Sequence, residues 1–404
     1  MKKDLSFVCN FLKALIIPNM PDDFIVAKPF RHGLTDAEIR KGITAFREFL
    51  YALFDKLSAD KDKIDAKTGS NYDPFGTYNG SGDIGRCFPS IFDLALILFS
   101  LGIHSRLETK PKKRLIIHSK DLPIVIGPHG EKHYSLKNIT HERKLEMFRL
   151  LSELGLCFNG TELSGIIDFS KDTIFHLTSK TDEFMIVGLK LIAESTANTK
   201  DYYYIFNMLY PAFLRCDFHP LANAVPKKHT VNIIDYANAH HPEIKKWIME
   251  TNSFLTNNDC AITHGLGSGS EFTYTHKKSK RWICRIYMGF TGCYITPGVN
   301  HLKNQDSIIS MLPSDMVDIM KSGKGGTKFS IEQCQRRCGN VAFKRFTFTH
   351  NGEEFEGCQY AAFMNCQFAG EKCRFTGLKF ALDTPINRKL MKKWIEMELA
   401  QALK

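Results

Sequence analysis

No stretch of this chain approaches the ~20 uninterrupted apolar residues that a membrane-crossing helix requires, so the sequence predicts no membrane span. The short signatures that carry chemistry are also missing in their working context. GLGSGS (265–270) leads into the strand-like EFTYTH rather than a helix, so a pyrophosphate would find no helix N-terminus there. SGKGGTK (322–328) lacks the spacing of a phosphate loop. No nucleophile or metalloenzyme signature is present either. A cleavable leader is not expected, because Asp4, Asn10 and Lys13 interrupt the first apolar run and no small-residue cleavage site follows. The expectation is a cytoplasmic protein in which thiols stay reduced or bind metal.

What is present is an ordinary globular composition, with 43% hydrophobic, 24% charged and 12% aromatic residues in 404. That length predicts two or three domains. The formal charge of +11 is uneven: from Glu271 onward 21 Lys and Arg stand against 12 Asp and Glu, so +9 falls on the final third. A field of that sign draws nucleic acid, acidic protein or an anionic ligand, and equally describes a solvated surface.

Helices are predicted over 4–17, closed by Pro18, and after the capping box of Thr35 and Glu38, where Ile39, Ile43, Phe46, Leu50, Leu53 and Leu57 share a face. Residues 61–85 are glycine-rich and polar and read as a loop. Helices ending at Gly102 and Gly155, each followed by a strand pair, align LILFSLGI with LLSELGL as a weak duplication of a helix and β-hairpin, winged-helix-like in pattern. Further helices are predicted after Thr181, from Pro242 to Leu255, over 306–321, and after Thr384-Pro385 with Ile386, Leu390, Trp394 and Met397 inward. Between them, 260–297 reads as antiparallel strands with Lys277–Arg281 as a charged hairpin tip and Trp282, Cys284 and Ile286 inward. The fold class is therefore α+β, with a helix-rich region 1–256, divisible at 135/136, and a basic domain 257–404.

Twelve cysteines are present, and Cys9, Cys87, Cys157, Cys216 and Cys260 each stand alone among apolar neighbours as buried thiols. Cys216 lies near His219, His229, His240 and His241, but the spacing is too loose for a metal site. Five others lie between Cys334 and Cys373. Asn351-Gly352 between two alternating runs predicts a two-residue hairpin turn in which His350 faces Glu353, Phe348 faces Phe355 and Arg345 faces Cys358. The same register carries Cys338 toward Cys366. Cys334 and Cys338 have thiolate-pair spacing, and with Cys358 and Cys366 they form a candidate structural zinc site; a disulfide or unrelated thiols remain the alternatives. Arg336, Arg337, Lys344 and Arg345 beside them are candidate anion-binding residues.

CQRRC (334–338), followed by NGEEFEGCQYAAF, together with FMIVGLKLIAES, resembles an uncharacterised bacterial protein family of unknown function. Its C-terminal part carries a C-x3-C pair, a β-hairpin and a C-x-Y, matched here by Cys334, Cys338, Cys358 and Tyr360. The resemblance covers about a fifth of the chain and implies no activity. The functional expectation is a binding protein without evident catalytic machinery, whose basic C-terminal domain engages an anionic ligand or partner. A nucleic-acid-binding regulator and an enzyme of unrecognised class are the alternatives.

Overall fold

The computed structural model describes residues 5–61, 89–123, 125–126, 132–134, 136–199, 212–227, 232–266, 270–289, 292–298, 329–331, 345–350, 353–358 and 378–404. They form an α+β protein of two compact units, one running to Asp235 and the other from Tyr236.

The first unit contains α1 (Leu5–Leu15), α2 (Asp36–Ala59), α3 (Pro89–Ile103), β1 (Ser105–Glu108), β2 (Arg114–His118), β3 (Val125–Ile126), β4 (Lys132–Tyr134), α4 (His141–Glu153), β5 (Leu156–Asn159), α5 (Leu163–Ile167), β6 (Ile174–Ser179) and α6 (Met185–Ala197). The capping box that starts α2 is formed as its sequence predicts: the Glu38 amide donates to Thr35 Oγ1 at 3.3 Å, and the Thr35 amide donates to Glu38 Oε2 at 3.0 Å. Its apolar stripe is buried from Ile39 to Leu57.

Helix α6 is buried on nearly every side and is the axis of this unit, packing on α2, α3 and the β1–β2 strands. Its approach to α2 is set by backbone contact, since a Cβ on Gly188 would lie 2.1 Å from the Gly42 carbonyl oxygen. Gly102 plays the same part toward α3, where a Cβ would fall 2.5 Å from Ala193 Cβ. Helix α3 accordingly runs on to Ile103 instead of stopping at Gly102, whereas Gly155, at φ 95°, does end α4. The two glycines aligned by sequence thus have different causes. Thr181 is not the cap of α6: the helix starts at Met185, and the turn before it is built by Ser179 Oγ accepting the Asp182 amide and Asp182 accepting the Phe184 amide.

Four strands form an antiparallel sheet in the order β1-β2-β6-β5. The two helix-and-strand-pair segments, α3-β1-β2 and α4-β5-β6, therefore meet through their second strands, Leu115 opposite Leu177 and Ile117 opposite Phe175. Residues of the loop 62–85 lie outside the described residues.

Helix α7 (Ile233–Ala237) spans the division between the units. Beyond it lie α8 (Pro242–Asn257), β7 (Cys260–Leu266), β8 (Ser270–His276), β9 (Trp282–Gly289), β10 (Gly292–Pro297), β11 (Phe329–Ile331), β12 (Arg345–His350), β13 (Glu353–Cys358), β14 (Leu378–Ala381) and α9 (Pro385–Ala402). A six-stranded antiparallel sheet runs β11-β14-β10-β9-β8-β7, and β12 and β13 form a separate pair. Helix α8 belongs to this second unit and opens at His241, as the His-Pro step predicts.

The inward face of α9 differs from expectation. Ile386 is 65% exposed and Met397 only half-buried, while Asn387, Leu390, Met391, Trp394, Ile395, Glu398 and Leu399 are buried. Trp394 sets this phase: its indole N–H donates to the Gly298 carbonyl at 2.9 Å and its ring meets Phe380 edge-on. Arg388 also turns back toward the fold, donating to the Leu382 carbonyl at 2.9 Å and pairing with Glu243. On β9, Ile283, Cys284, Ile286 and Met288 are buried and Trp282 is half-buried.

Candidate anion-binding surface

Strands β8 and β9 pair from Ser270 opposite Met288 to Thr275 opposite Trp282. Phe272, Tyr274 and His276 alternate inward along β8, so the pair is rooted in the sheet core while its connection, Lys277 to Arg281, is exposed. That connection is held by backbone bonds. The His276 amide donates to the Arg281 carbonyl at 2.9 Å, the Lys280 amide to the His276 carbonyl at 2.9 Å, and the Lys277 amide to the Asp259 carbonyl at 2.9 Å. Lys280 takes the left-handed conformation at φ 57° that such a closure needs.

The buried His276 ring completes the clamp. Its Nδ1 accepts the Ser279 amide at 3.3 Å and lies 2.8 Å from the Ser279 hydroxyl. Arg281 reaches away from the tip and donates through Nη1 to the Gln401 carbonyl at the end of α9. The result is a cationic projection on a fixed backbone. Among the described residues no carboxylate pairs with Lys278 or Lys280, and Lys277 has only Asp259, at 3.9 Å. An anion arriving there meets cations whose main chain is already ordered, so binding carries no added cost of ordering the backbone.

The residues singled out from sequence are placed as follows. Arg345 and Cys358 pair directly, Phe348 pairs with Phe355 and His350 with Glu353, in the register the Asn351-Gly352 step predicts. Cys334, Cys338, Cys366, Arg336, Arg337, Lys344 and the predicted helix 306–321 lie outside the described residues. Among the described residues no three His, Cys, Asp or Glu side chains are placed to hold a metal. Cys9, Cys216, Cys260, Cys284 and Cys293 are buried, and Cys157 is half-buried. Burial pushes Cys260 up to about 11 and holds Cys216, Cys284 and Cys293 far above the ordinary thiol range, so none is a ready nucleophile.

Sequence reasoning did not anticipate a polar group in the first unit. Arg215, 1% exposed, directs Nη2 to Asp235 Oδ2 at 3.4 Å and Nε to the Leu15 carbonyl at 3.5 Å. Asp217, also buried, accepts both the amide of His219, at 3.1 Å, and its ring Nδ1, at 2.9 Å. The His219 ring stacks on Phe218 with centroids 4.6 Å apart. The Asp217 hydrogen bond raises the His219 pKa above its ordinary value against a smaller opposing effect of burial, and burial raises that of Asp235.

A raised folded-state value means that His219 contributes stability fully below its unfolded pKa of about 6.5, a contribution lost as pH rises through the folded value. Histidine NMR titration is expected to place His219 above the ordinary histidine value of about 6.5. Asp217→Asn should bring it down; an unchanged midpoint would show that the carboxylate does not govern it.

No family model matches the chain, and no match was found among curated proteins or solved structures. The site therefore stands on its own chemistry.

Proposed function

We propose that this chain is a binding protein that engages a polyanionic partner through the basic β8–β9 tip of its second unit. The single observation behind this reading is the cluster of Lys277, Lys278 and Lys280 on a connection fixed by five hydrogen bonds from its own and neighbouring residues. A basic run that served only solubility would gain nothing from an ordered main chain, whereas a receptor for phosphate or carboxylate groups gains affinity from it. The +9 carried from Glu271 onward adds the long-range attraction that speeds encounter. Fluorescence anisotropy with a labelled 30-base-pair duplex and with polyglutamate, at low salt, tests the reading. Saturable binding to at least one is expected; no binding to either would overturn it.

The reading retains a structural zinc held by Cys334, Cys338, Cys358 and Cys366, which would close the β12–β13 pair as a staple. Four thiolates leave no open coordination position, so such a metal would hold the fold and not activate water. Protein purified without added zinc is expected to carry about one zinc per chain, the stoichiometry of a four-thiolate site. Metal-free protein with all four thiols titrating freely would remove the staple from the account.

A further inference from the structure

We infer that β7 is an interface between two copies of this chain, which pair antiparallel, edge to edge, about a two-fold axis at Thr263. Strand β7 ends the six-stranded sheet, so on its outer side the main-chain groups of a seven-residue strand meet no further strand among the described residues. Its pairing with β8 is regular from Cys260 opposite His276 to Leu266 opposite Ser270, without the register shift that interrupts β8 and β9 between Tyr274 and Thr275. The open side is therefore an unbroken ladder.

Edge strands are ordinarily blunted by shortness, by a charged side chain, by proline or by a bulge. The other strands that end the two larger sheets fit that rule: β11 has three residues, β5 has four, and β1 has four with Arg106 and Glu108 among them. Strand β7, with the sequence CAITHGL, has none of these devices. In a chain of formal charge +11, an edge without Lys, Arg, Asp or Glu is one that a second copy approaches without like charges meeting. Ile262 marks the same border. It lies opposite Tyr274, and so shares the sheet face on which Tyr274 and Phe272 are buried, yet it is 38% exposed. A strand added beyond β7 would continue the apolar layer of that face and cover Ile262.

The occupant is a second copy because β7 is complementary to itself. Turned about Thr263, two such strands place Thr263 opposite Thr263, Ile262 opposite His264 and Ala261 opposite Gly265, a set that includes a favourable threonine pair. Two-fold pairing consumes the β7 edge of both copies, so association closes at two chains and does not propagate. The basic tips do not oppose it. Lys277 follows His276, which pairs with Cys260 at one end of β7, so antiparallel pairing sends the two tips to opposite ends of the joined strands. Their separation is then at least roughly 20 Å, more than twice the Debye length of about 8 Å at physiological salt.

Sedimentation equilibrium of the full-length protein tests the pairing, with wild type, T263K, T263E and an equimolar mixture of the two variants. The micromolar range is the one to cover, since a strand pair buries less than a standard interface. Wild type is expected to rise from the mass of one chain towards two, with no larger species. T263K and T263E each set like charges opposite one another at the axis and should weaken association about tenfold or more. Thr263 is exposed, so the variants should melt close to wild type. The mixture sets Lys opposite Glu and should restore association. Wild type that remains one chain at the highest concentration would overturn a second copy as the occupant. Variants that associate as tightly as wild type would overturn β7 as the surface. Variants that separate, and whose mixture stays separate, would overturn antiparallel pairing about Thr263.

Discussion

Gly188→Ala is expected to cost the first unit about 2 kcal/mol of stability, the difference between two opposed effects. Replacing an interior helical glycine by alanine gains about 1 kcal/mol in helix propensity. Against this, the new Cβ would stand 2.1 Å from the Gly42 carbonyl oxygen and 2.6 Å from Phe46 Cβ. No rotamer relieves a clash with backbone, so α2 and α6 must separate, and overpacking of this kind costs about 3 kcal/mol. For a unit of this size the expected fall in melting temperature is roughly 4–8 °C. Gly42→Ala is the internal control. Its Cβ would meet Val187 Cγ1 at 2.8 Å and the Gly188 amide nitrogen at 3.1 Å, a looser backbone approach than the 2.1 Å at Gly188, so its loss should be smaller. Equal melting temperatures for the two variants would contradict backbone contact as the determinant of the helix spacing.

The triple substitution Lys277→Glu, Lys278→Glu and Lys280→Glu is expected to weaken duplex binding on the order of a hundredfold and to lower the salt slope by about 2.7, three contacts at 0.9 each. Arg281 is spared because its guanidinium holds the C-terminal end of α9 through the Gln401 carbonyl. Ser279 and His276 are spared because they shape the connection. The three lysines are exposed and their side chains brace nothing in the core, so thermal stability should change by less than about 0.5 kcal/mol. A loss of binding accompanied by a large fall in melting temperature would indicate damage to the hairpin instead of removal of contacts.

Features whose determinants lie within a few residues of one another were legible in the sequence. The capping box at Thr35 and Glu38, the helix starts at His241-Pro242 and Thr384-Pro385, and the β12–β13 register are all local signals, and all stand as read. The phase of α9 was not legible. Periodicity allowed Ile386 and Met397 inward, but Trp394 anchors to Gly298 in a distant strand connection and turns the helix so that Asn387 and Glu398 are buried instead. Gly102 looked like a helix stop, because only tertiary packing reveals that it and Gly188 permit backbone contact with a neighbour.

The Arg215 group was invisible for a related reason. Its partners are Asp235, 20 residues away, and the Leu15 carbonyl, 200 residues away. Of the candidate surface, the charge of Lys277–Arg281 was plain, but its fixed conformation was not, since this depends on a buried histidine accepting from Ser279.

The most direct test of the account is the salt dependence of duplex binding by wild-type protein and by the triple Lys277, Lys278, Lys280 variant measured side by side. The account predicts a steep linear fall of log affinity with log salt for the wild type and a slope lower by about 2.7 for the variant. Parallel lines of equal affinity would contradict it.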